Sequence, residues 1–233
     1  MEKELLKQGY EMIIGVDEAG KGPLAGPVVA CAAAYKLQIP KNKSQANSKF
    51  QILNSKFFSL IRDSKMLSHK QRESLYDFIH EHFYVGVGIC DHKTIDRMNI
   101  LQASFLAMKK ALTSLKQNYK NTKCIILIDG SGRIPNFSME QKAIVRGDKI
   151  VKSISAASII AKVTRDRIML EMHEEYPQYC FNRHKGYGTK LHMEMLTKHG
   201  PCEIHRQSFA PVKLARDKTN PPEAGKLAKK VKK

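Results

Sequence analysis

The chain has 233 residues, which is long enough for one substantial hydrophobic core with at most a small appendage. It carries 40 Lys and Arg residues against 22 Asp and Glu residues, and the net charge of +18 favours an anionic partner, nucleic acid before an acidic membrane. No apolar run approaches the roughly 18 residues that a transmembrane helix needs, so we expect a soluble, cytoplasmic monomer without a membrane role.

The first half of the chain predicts a sheet. Met12–Val16 and Val28–Tyr35 are apolar or β-branched runs on either side of a Gly/Pro turn, which is typical of two paired strands. Residues 38–54 are polar and lysine-rich, and we interpret them as a surface insertion. Phe83–Cys90 alternates apolar residues with glycines and predicts a third strand.

The second half predicts helices around a buried strand. Apolar residues at helical spacing indicate an amphipathic helix over Asn99–Tyr119, and the continuous apolar run Cys124–Gly130 indicates a central strand that ends in an acid. Ser153–Glu175 predicts a long helix with Ser153 as its N-cap, and Gly188–His199 a shorter one. Strands followed by alternating helices and strands indicate an α/β layered domain.

The end of the chain differs in composition from the rest. Residues 216–233 are rich in lysine and contain too few apolar residues to pack against a core. We therefore expect one domain over residues 1–215 and a disordered basic tail after it.

The segment Val16–Pro27 is the most informative part of the chain. Two adjacent acids, Asp17 and Glu18, end an apolar run and precede the turn Gly20-Lys21-Gly22. Carboxylates bind hard cations such as Mg²⁺ or Mn²⁺, and glycine lets backbone N–H groups approach a polyanion. The pattern indicates metal-assisted chemistry on a phosphate backbone. Neighbours in a regular strand point to opposite faces, so the two acids can share a metal cluster only if the backbone deviates after Val16.

Two-metal hydrolysis of a phosphodiester requires several carboxylates around ions roughly 4 Å apart. After Asp17 and Glu18, the third acid is Asp129 at the end of the buried strand. The fourth is either Asp148, in a loop before the long helix, or Asp166, about 13 residues into that helix and so roughly 20 Å along its axis. We favour Asp148 and interpret Asp166 as an ion-pair partner on the helix surface or a support for the site.

These features resemble the type 2 ribonucleases H, and the chain is similar to bacterial ribonuclease HII over about residues 12–212. The resemblance implies the ribonuclease H-like α/β fold, a mixed sheet flanked by helices with a helical C-terminal region. It also implies that Asp17, Glu18, Asp129 and Asp148 hold two Mg²⁺ or Mn²⁺ ions. Besides the Asp-Glu segment, it rests on Asp63-Ser64-Lys65-x-Leu67, Ser155–Asp166, His184-Lys185-Gly186-Tyr187-Gly188-Thr189 and His205-Arg206-x-Ser208-Phe209.

The resemblance further implies the substrate. The expected partners are RNA–DNA hybrids and duplex DNA with embedded ribonucleotides, cut on the 5′ side to leave a 3′-hydroxyl and a 5′-phosphate. The turn at 20–22 and Tyr187 are expected to recognise the ribonucleotide, with Lys21 in place of the arginine usual in the family. Four basic residues are expected to neutralise phosphates: Lys65, His184, Lys185 and Arg206.

Two alternatives stay open. A ribonuclease HIII has a similar Gly-Lys-Gly turn but usually carries an additional N-terminal domain, and only eleven residues precede Met12 here. A basic nucleic-acid-binding protein without catalysis would need the positive charge. It would not need clustered acids, because carboxylates repel phosphate unless a cation intervenes.

Overall fold

The computed structural model describes residues 1–36, 59–61 and 67–219. The predicted insertion at 38–54, Lys65 and the tail from residue 220 onward lie outside the described residues. The strands are β1 (Met12–Ala19), β2 (Val28–Tyr35), β3 (Phe83–Cys90), β4 (Cys124–Asp129) and β5 (Gln141–Ile144). The helices, numbered in the order described, are α1 (Glu2–Lys7), α2 (His69–His82), α3 (His92–Met98), α4 (Ile100–Ser114), α5 (Lys116–Tyr119), α6 (Gly147–Ile150), α7 (Lys152–Glu175), α8 (Phe181–His184), α9 (Lys190–His199) and α10 (Ala210–Thr219).

The strands form one mixed sheet in the order β3-β2-β1-β4-β5. β1 pairs antiparallel with β2, and β2 with β3, whereas β1 with β4 and β4 with β5 are parallel. Val16 lies opposite Ile128 in the parallel pair, so the acids that follow these residues emerge at the same edge of the sheet. The predicted mixed sheet flanked by helices is confirmed.

Strand prediction succeeded where apolar residues are continuous. β2 and β3 have the predicted bounds, while β1 continues three residues beyond Val16 and includes both acids. β5 was not predicted, because its four residues, Gln141–Ile144, form no apolar run and only Ile144 is buried.

Helices cover both faces of the sheet at very short distances. α7 crosses β1 at Gly15, where an added Cβ would lie 2.1 Å from the carbonyl carbon of Ser153. On the other face α4 crosses β3 at Gly88, where a Cβ would lie 2.0 Å from the carbonyl oxygen of Ala107. Glycine is therefore required at both crossings, because any side chain would separate the layers.

The predicted N-cap of α7 is wrong. The helix begins at Lys152, and the carboxylate of Glu2 accepts hydrogen bonds from the backbone N–H groups of Lys152 (3.2 Å) and Ser153 (3.1 Å). The cap thus comes from α1, about 150 residues away in the chain, and supplies negative charge at the positive end of the helix dipole.

Two other boundaries also differ from prediction. The helix expected over 99–119 is divided into α4 and α5, and Leu101 of its predicted apolar stripe is 50% exposed. The expected tail boundary at 216 falls inside α10, which continues to Thr219. Within the described part of the chain, no helix is long and apolar enough to cross a membrane.

Candidate active site

Asp17 is a buried carboxylate near the end of β1, with 6% of its surface exposed. Its Oδ1 accepts the backbone N–H of Glu18 at 2.7 Å, and the hydroxyl of Ser158 on α7 donates a second hydrogen bond to the carboxylate. Burial first, and then the negative charges of Glu18 and Asp129, raise the pKa of Asp17 well above its usual range. Three acids therefore share one electrostatic environment at this sheet edge.

The backbone does not deviate after Val16, although a metal cluster shared by Asp17 and Glu18 would require it. β1 remains paired with β2 through Asp17 opposite Cys31 and Glu18 opposite Ala30. The Glu18 side chain, 10% exposed, forms an ion pair with the ammonium of Lys21 in the following turn. Lys21 thus neutralises Glu18 within the chain itself.

Asp148 lies beside Asp129, as predicted. The backbone N–H of Asp148 donates to Oδ1 of Asp129 at 3.3 Å, and the hydroxyl of Ser155 donates to the carbonyl of Asp148 at 2.7 Å. An added Cβ at Gly147 would lie 2.6 Å from Cδ1 of Ile154 and 3.4 Å from the Asp129 oxygen. The residue before Asp148 must therefore be small for the two acids to approach.

Asp166 is not among these acids. Its carboxylate forms a 2.7 Å ion pair with Lys162 one turn earlier on α7. The ion-pair interpretation holds, but the residue is only 6% exposed and so is not on the helix surface, as that interpretation supposed.

The four acids suit a hard divalent cation. Their donor atoms are all oxygen, as Mg²⁺ and Mn²⁺ prefer. Burial first, and then repulsion from Glu18 and Asp129, raises the pKa of Asp17, and a bound cation would relieve the repulsion. Across residues 1–36, 59–61 and 67–219, no three His, Cys, Asp or Glu side chains already converge at metal-binding distance. The chemistry of the donors fits the metal. Bringing them together would require the end of β1 to leave its regular pairing and the Glu18–Lys21 ion pair to rearrange.

The turn after β1 has one obligatory glycine. Gly20 has φ of +101°, and a Cβ there would lie 2.3 Å from Nε of Arg165 and 2.7 Å from the carbonyl oxygen of Pro27. A Cβ at Gly22 would have Cε1 of Tyr187 as its nearest neighbour, at 3.9 Å. Gly20 is thus required by the packing, whereas Gly22 borders an open space next to Tyr187.

Two buried arginines hold this turn from inside. Arg165 of α7 donates to the carbonyl oxygens of Pro27 (3.0 Å), Lys185 (2.9 Å) and Ala25 (3.1 Å). Arg206 donates to four carbonyl oxygens, those of Gly26 (3.0 Å), Lys21 (3.0 Å), Gly20 (2.6 Å) and Pro27 (3.2 Å). Arg206 supplies several fixed donors to the loop 20–27, and Arg165 joins that loop to the backbone of Lys185. Lysine cannot reproduce this geometry.

The predicted phosphate contacts of Arg206 and His184 are wrong. Arg206 is fully buried, and desolvation lowers its pKa to about 9. His184 is 7% exposed, its ring lies between the carbonyl of Tyr179 and the N–H of Gly186, and burial lowers its pKa. A neutral, buried imidazole and a guanidinium saturated with carbonyls cannot neutralise a phosphate.

Tyr187 is presented beside the turn. The residue is 39% exposed, and its ring centroid lies 5.5 Å from Nζ of Lys162 and 5.6 Å from Cζ of Arg165. Lys185, predicted as a phosphate contact, donates from its ammonium to the carbonyl of Asn182. The glycine turn and the segment that carries Tyr187 are about 165 residues apart in the sequence but neighbours in the structure. The backbone N–H of Leu24 donates to the carbonyl of Gly186 at 2.8 Å.

Sequence reasoning assigned no role to the serines of α7 or to Arg165. The hydroxyls of Ser155 and Ser158 bond the backbone of Asp148 and the carboxylate of Asp17. Their spacing of three residues, which places both on one helix face, was the available signal. Arg165 carried no signal, since a buried guanidinium depends on distant carbonyls.

The comparisons with known proteins give the family of the chain. The sequence profile of ribonuclease HII matches residues 14–212. The ribonuclease HII of Caldicellulosiruptor bescii is 46% identical over 210 residues, which cover 90% of this chain and 91% of that protein. The ribonuclease HII of Fusobacterium nucleatum is 46% identical over 201 residues, or 86% of each chain.

The structure is similar to that of ribonuclease H2 from Pyrococcus horikoshii, with a TM-score of 0.65, 24% identity, and coverage of 91% of this chain and 100% of that one. Bst-RNase HIII in complex with Mn²⁺ gives a TM-score of 0.61 at 18% identity and covers 88% of this chain and 68% of that one. These likenesses establish the ribonuclease H-like fold. With its profile match and its curated relatives, the chain belongs to the ribonuclease HII family.

Proposed function

We propose that this protein is an endoribonuclease that hydrolyses the RNA strand of RNA–DNA hybrids and cuts on the 5′ side of ribonucleotides embedded in duplex DNA. The products carry a 3′-hydroxyl and a 5′-phosphate. The observation that carries the proposal is the position of Asp17, Glu18, Asp129 and Asp148 at one sheet edge, in a chain of the ribonuclease HII family.

The same four acids would hold one or two Mg²⁺ or Mn²⁺ ions. Such ions, when bound, activate water and stabilise the departing oxyanion of a phosphodiester. The chain's own contribution is to keep the acids in place: Ser158 orients Asp17, and Ser155 fixes the backbone of Asp148 next to Asp129. We also propose that the protein acts as a monomer.

Sugar recognition is assigned to the turn at 20–22 and to Tyr187. The carbonyls of Gly20 and Lys21 are engaged by Arg206, so the turn is held rigid from behind. Tyr187 offers an exposed ring for stacking and a hydroxyl for a 2′-hydroxyl or phosphate. The ion pair between Lys21 and Glu18 connects the turn at 20–22 to the acidic residues. Lys65 stays a proposed phosphate contact outside the described residues.

Replacing one acid tests the function. In Asp129→Asn, we expect metal-dependent cleavage of a duplex containing one ribonucleotide to fall by at least about a hundredfold, since a direct ligand matters more than an outer-shell partner. Affinity for an RNA–DNA hybrid should change little. Asp77→Asn, on the exposed side of α2, is the matched control and should cleave like the wild type.

The outcomes separate the proposal from its main rival. A wild-type protein that binds hybrids but cleaves neither substrate with Mg²⁺ or Mn²⁺ would be a non-catalytic nucleic-acid-binding protein. Full cleavage by Asp129→Asn would remove Asp129 from the site.

A further inference from the structure

A cluster of three buried histidines lies behind the segment that carries Tyr187. His184, His192 and His205 are 7%, 0% and 0% exposed. The rings of His184 and His192 stack at 4.4 Å between centroids, and Phe181 contacts all three. None of these histidines belongs to the acidic edge, and the proposed reaction does not use them.

The hydrogen bonds of this cluster have only one consistent direction. The backbone N–H of Cys202 donates to Nδ1 of His205 at 3.0 Å, so Nδ1 of His205 is an acceptor and its proton sits on Nε2. That proton points to Nε2 of His192, 3.0 Å away, which must accept it. Nδ1 of His192 therefore carries the second proton and donates to the carbonyl of Tyr187 at 3.0 Å.

We propose that this histidine relay, from Cys202 N–H through His205 and His192 to the Tyr187 carbonyl, positions Tyr187 for the ribonucleotide. The inference rests on the proposed function, and it makes His192 and His205 positioning residues that act through Tyr187 without touching substrate.

The relay requires neutral rings. An added proton on His192 Nε2 would face the N–H of His205 and break the chain. Burial, with the neighbouring histidines, lowers the pKa of His192 to about 4 and that of His205 to about 3, so both stay neutral near pH 7. Burial also raises the pKa of the Cys202 thiol to about 12, which keeps a negative charge away from His205.

The relay also connects Tyr187 to the glycine turn. His205 forms a β-bridge with Ala25, and the residues on either side complete the pairing: Gly26 N–H donates to the Ile204 carbonyl at 2.9 Å, and Arg206 N–H to the Leu24 carbonyl at 2.8 Å. A displacement at His205 therefore reaches both the turn and Tyr187. The glycine turn and Tyr187, which are both assigned to recognition of the sugar, are thus both connected to His205.

A double-mutant cycle tests the proposal. His192→Phe keeps an aromatic ring in the stack but removes both relay hydrogen bonds. We expect kcat for cleavage at a single embedded ribonucleotide to fall about tenfold, with little change in KM. Tenfold is the scale of the one hydrogen bond lost at the Tyr187 carbonyl. In a Tyr187→Ala background the same substitution should have almost no further effect. An equal loss in both backgrounds would overturn the proposal.

Tyr179→Phe is the matched control. It removes the 2.7 Å hydrogen bond from the Tyr179 hydroxyl to the Gly200 carbonyl, while keeping the ring that packs against His205 at 4.9 Å between centroids. It should lower the melting temperature but leave kcat near the wild-type value. If Tyr179→Phe lowers kcat as much as His192→Phe does, loss of core packing explains both and the relay is refuted.

Imidazole ¹⁵N NMR of the wild-type protein tests the relay without any activity or mutation. The expected spectrum shows His192 protonated at Nδ1, His205 at Nε2, and a proton correlated with the Nε2 atoms of both rings. The opposite tautomers would overturn the relay. The spectrum is recorded on the free protein and does not depend on cleavage. It therefore tests the relay separately from the proposed nuclease activity, whose failure would appear as absent cleavage by the wild-type protein.

Discussion

Individual residues of this protein divide by what their polar atoms contact. Asp17 faces other acids and a serine, and burial among like charges raises its pKa. Arg165 and Arg206 donate their hydrogen bonds to backbone carbonyl oxygens. Tyr187 alone combines an exposed ring with a fixed backbone in the segment 184–189, since its carbonyl accepts from both His192 and Thr189.

Tyr187→Ala should slow cutting at a lone ribonucleotide about tenfold or more, because one stacking contact and one hydroxyl are lost. Affinity for a DNA duplex without ribonucleotides should fall much less. Single-turnover rates and fluorescence anisotropy measure the two quantities. Tyr187→Phe, which keeps the ring, separates stacking from hydrogen bonding. Equal losses of cleavage and of duplex affinity in Tyr187→Ala would discredit the sugar-reading role.

At the level of elements, the strands could be predicted from local sequence patterns, whereas the start of the long helix α7 could not. β2 was predictable to the residue because its nearly continuous burial requires a continuous apolar sequence, and β3 because its apolar residues alternate with glycines. The start of α7 was predicted wrongly, because a serine at the right position suggested a local cap while a distant glutamate provides it. Local sequence contains no information about a partner on another helix.

The cap from α1 gives a prediction for the stability of α7. Glu2→Ala should lower the free energy of unfolding by about 1 kcal/mol, the typical cost of losing an N-terminal cap. Urea denaturation at pH 7 provides the measurement. Glu4→Ala, two residues along the same short helix and 67% exposed at its side chain, is the control and should change stability by much less. Equal effects of the two substitutions would assign the stabilisation to α1 itself.

At the level of the whole molecule, a net charge of +18 coexists with a buried acidic edge. The positive surplus favours a polyanion and the acids repel one, so a cation is needed for both to serve one reaction. The buried histidines add a second property of the whole fold, its dependence on pH.

Acid should destabilise the protein through His192 and His205. Their folded pKa values, about 4 and about 3, lie below the unfolded value, so the unfolded chain binds more protons between those values and pH 6.5. Stability from these groups is therefore complete above about pH 6.5 and is lost as pH falls, by about 1.4 kcal/mol per unit for each histidine. The raised pKa of Asp17 has the opposite effect, because the stability that this group contributes is lost as pH rises.

Urea denaturation at pH 5 and pH 7, in the presence of a chelator, measures this dependence. His192→Phe removes one of the two groups and should reduce the difference between the two pH values. If His192→Phe has the same difference in stability between pH 5 and pH 7 as the wild type, His192 does not contribute to the pH dependence of stability.

The sequence by itself determined the mixed sheet, the acids that end β1 and β4, and the family, whereas the choice of Asp148 over Asp166 as the fourth ligand stays a prediction. These follow from local periodicity, from long motifs and from the rule that parallel strands end at one edge. Only the tertiary structure decided that Arg206 and His184 are buried, that Lys21 neutralises Glu18, and that histidines support Tyr187. The physical reason is distance along the chain: Arg206 and the Gly20 carbonyl are 186 residues apart, and a charged side chain looks the same in sequence whether it meets water or a carbonyl.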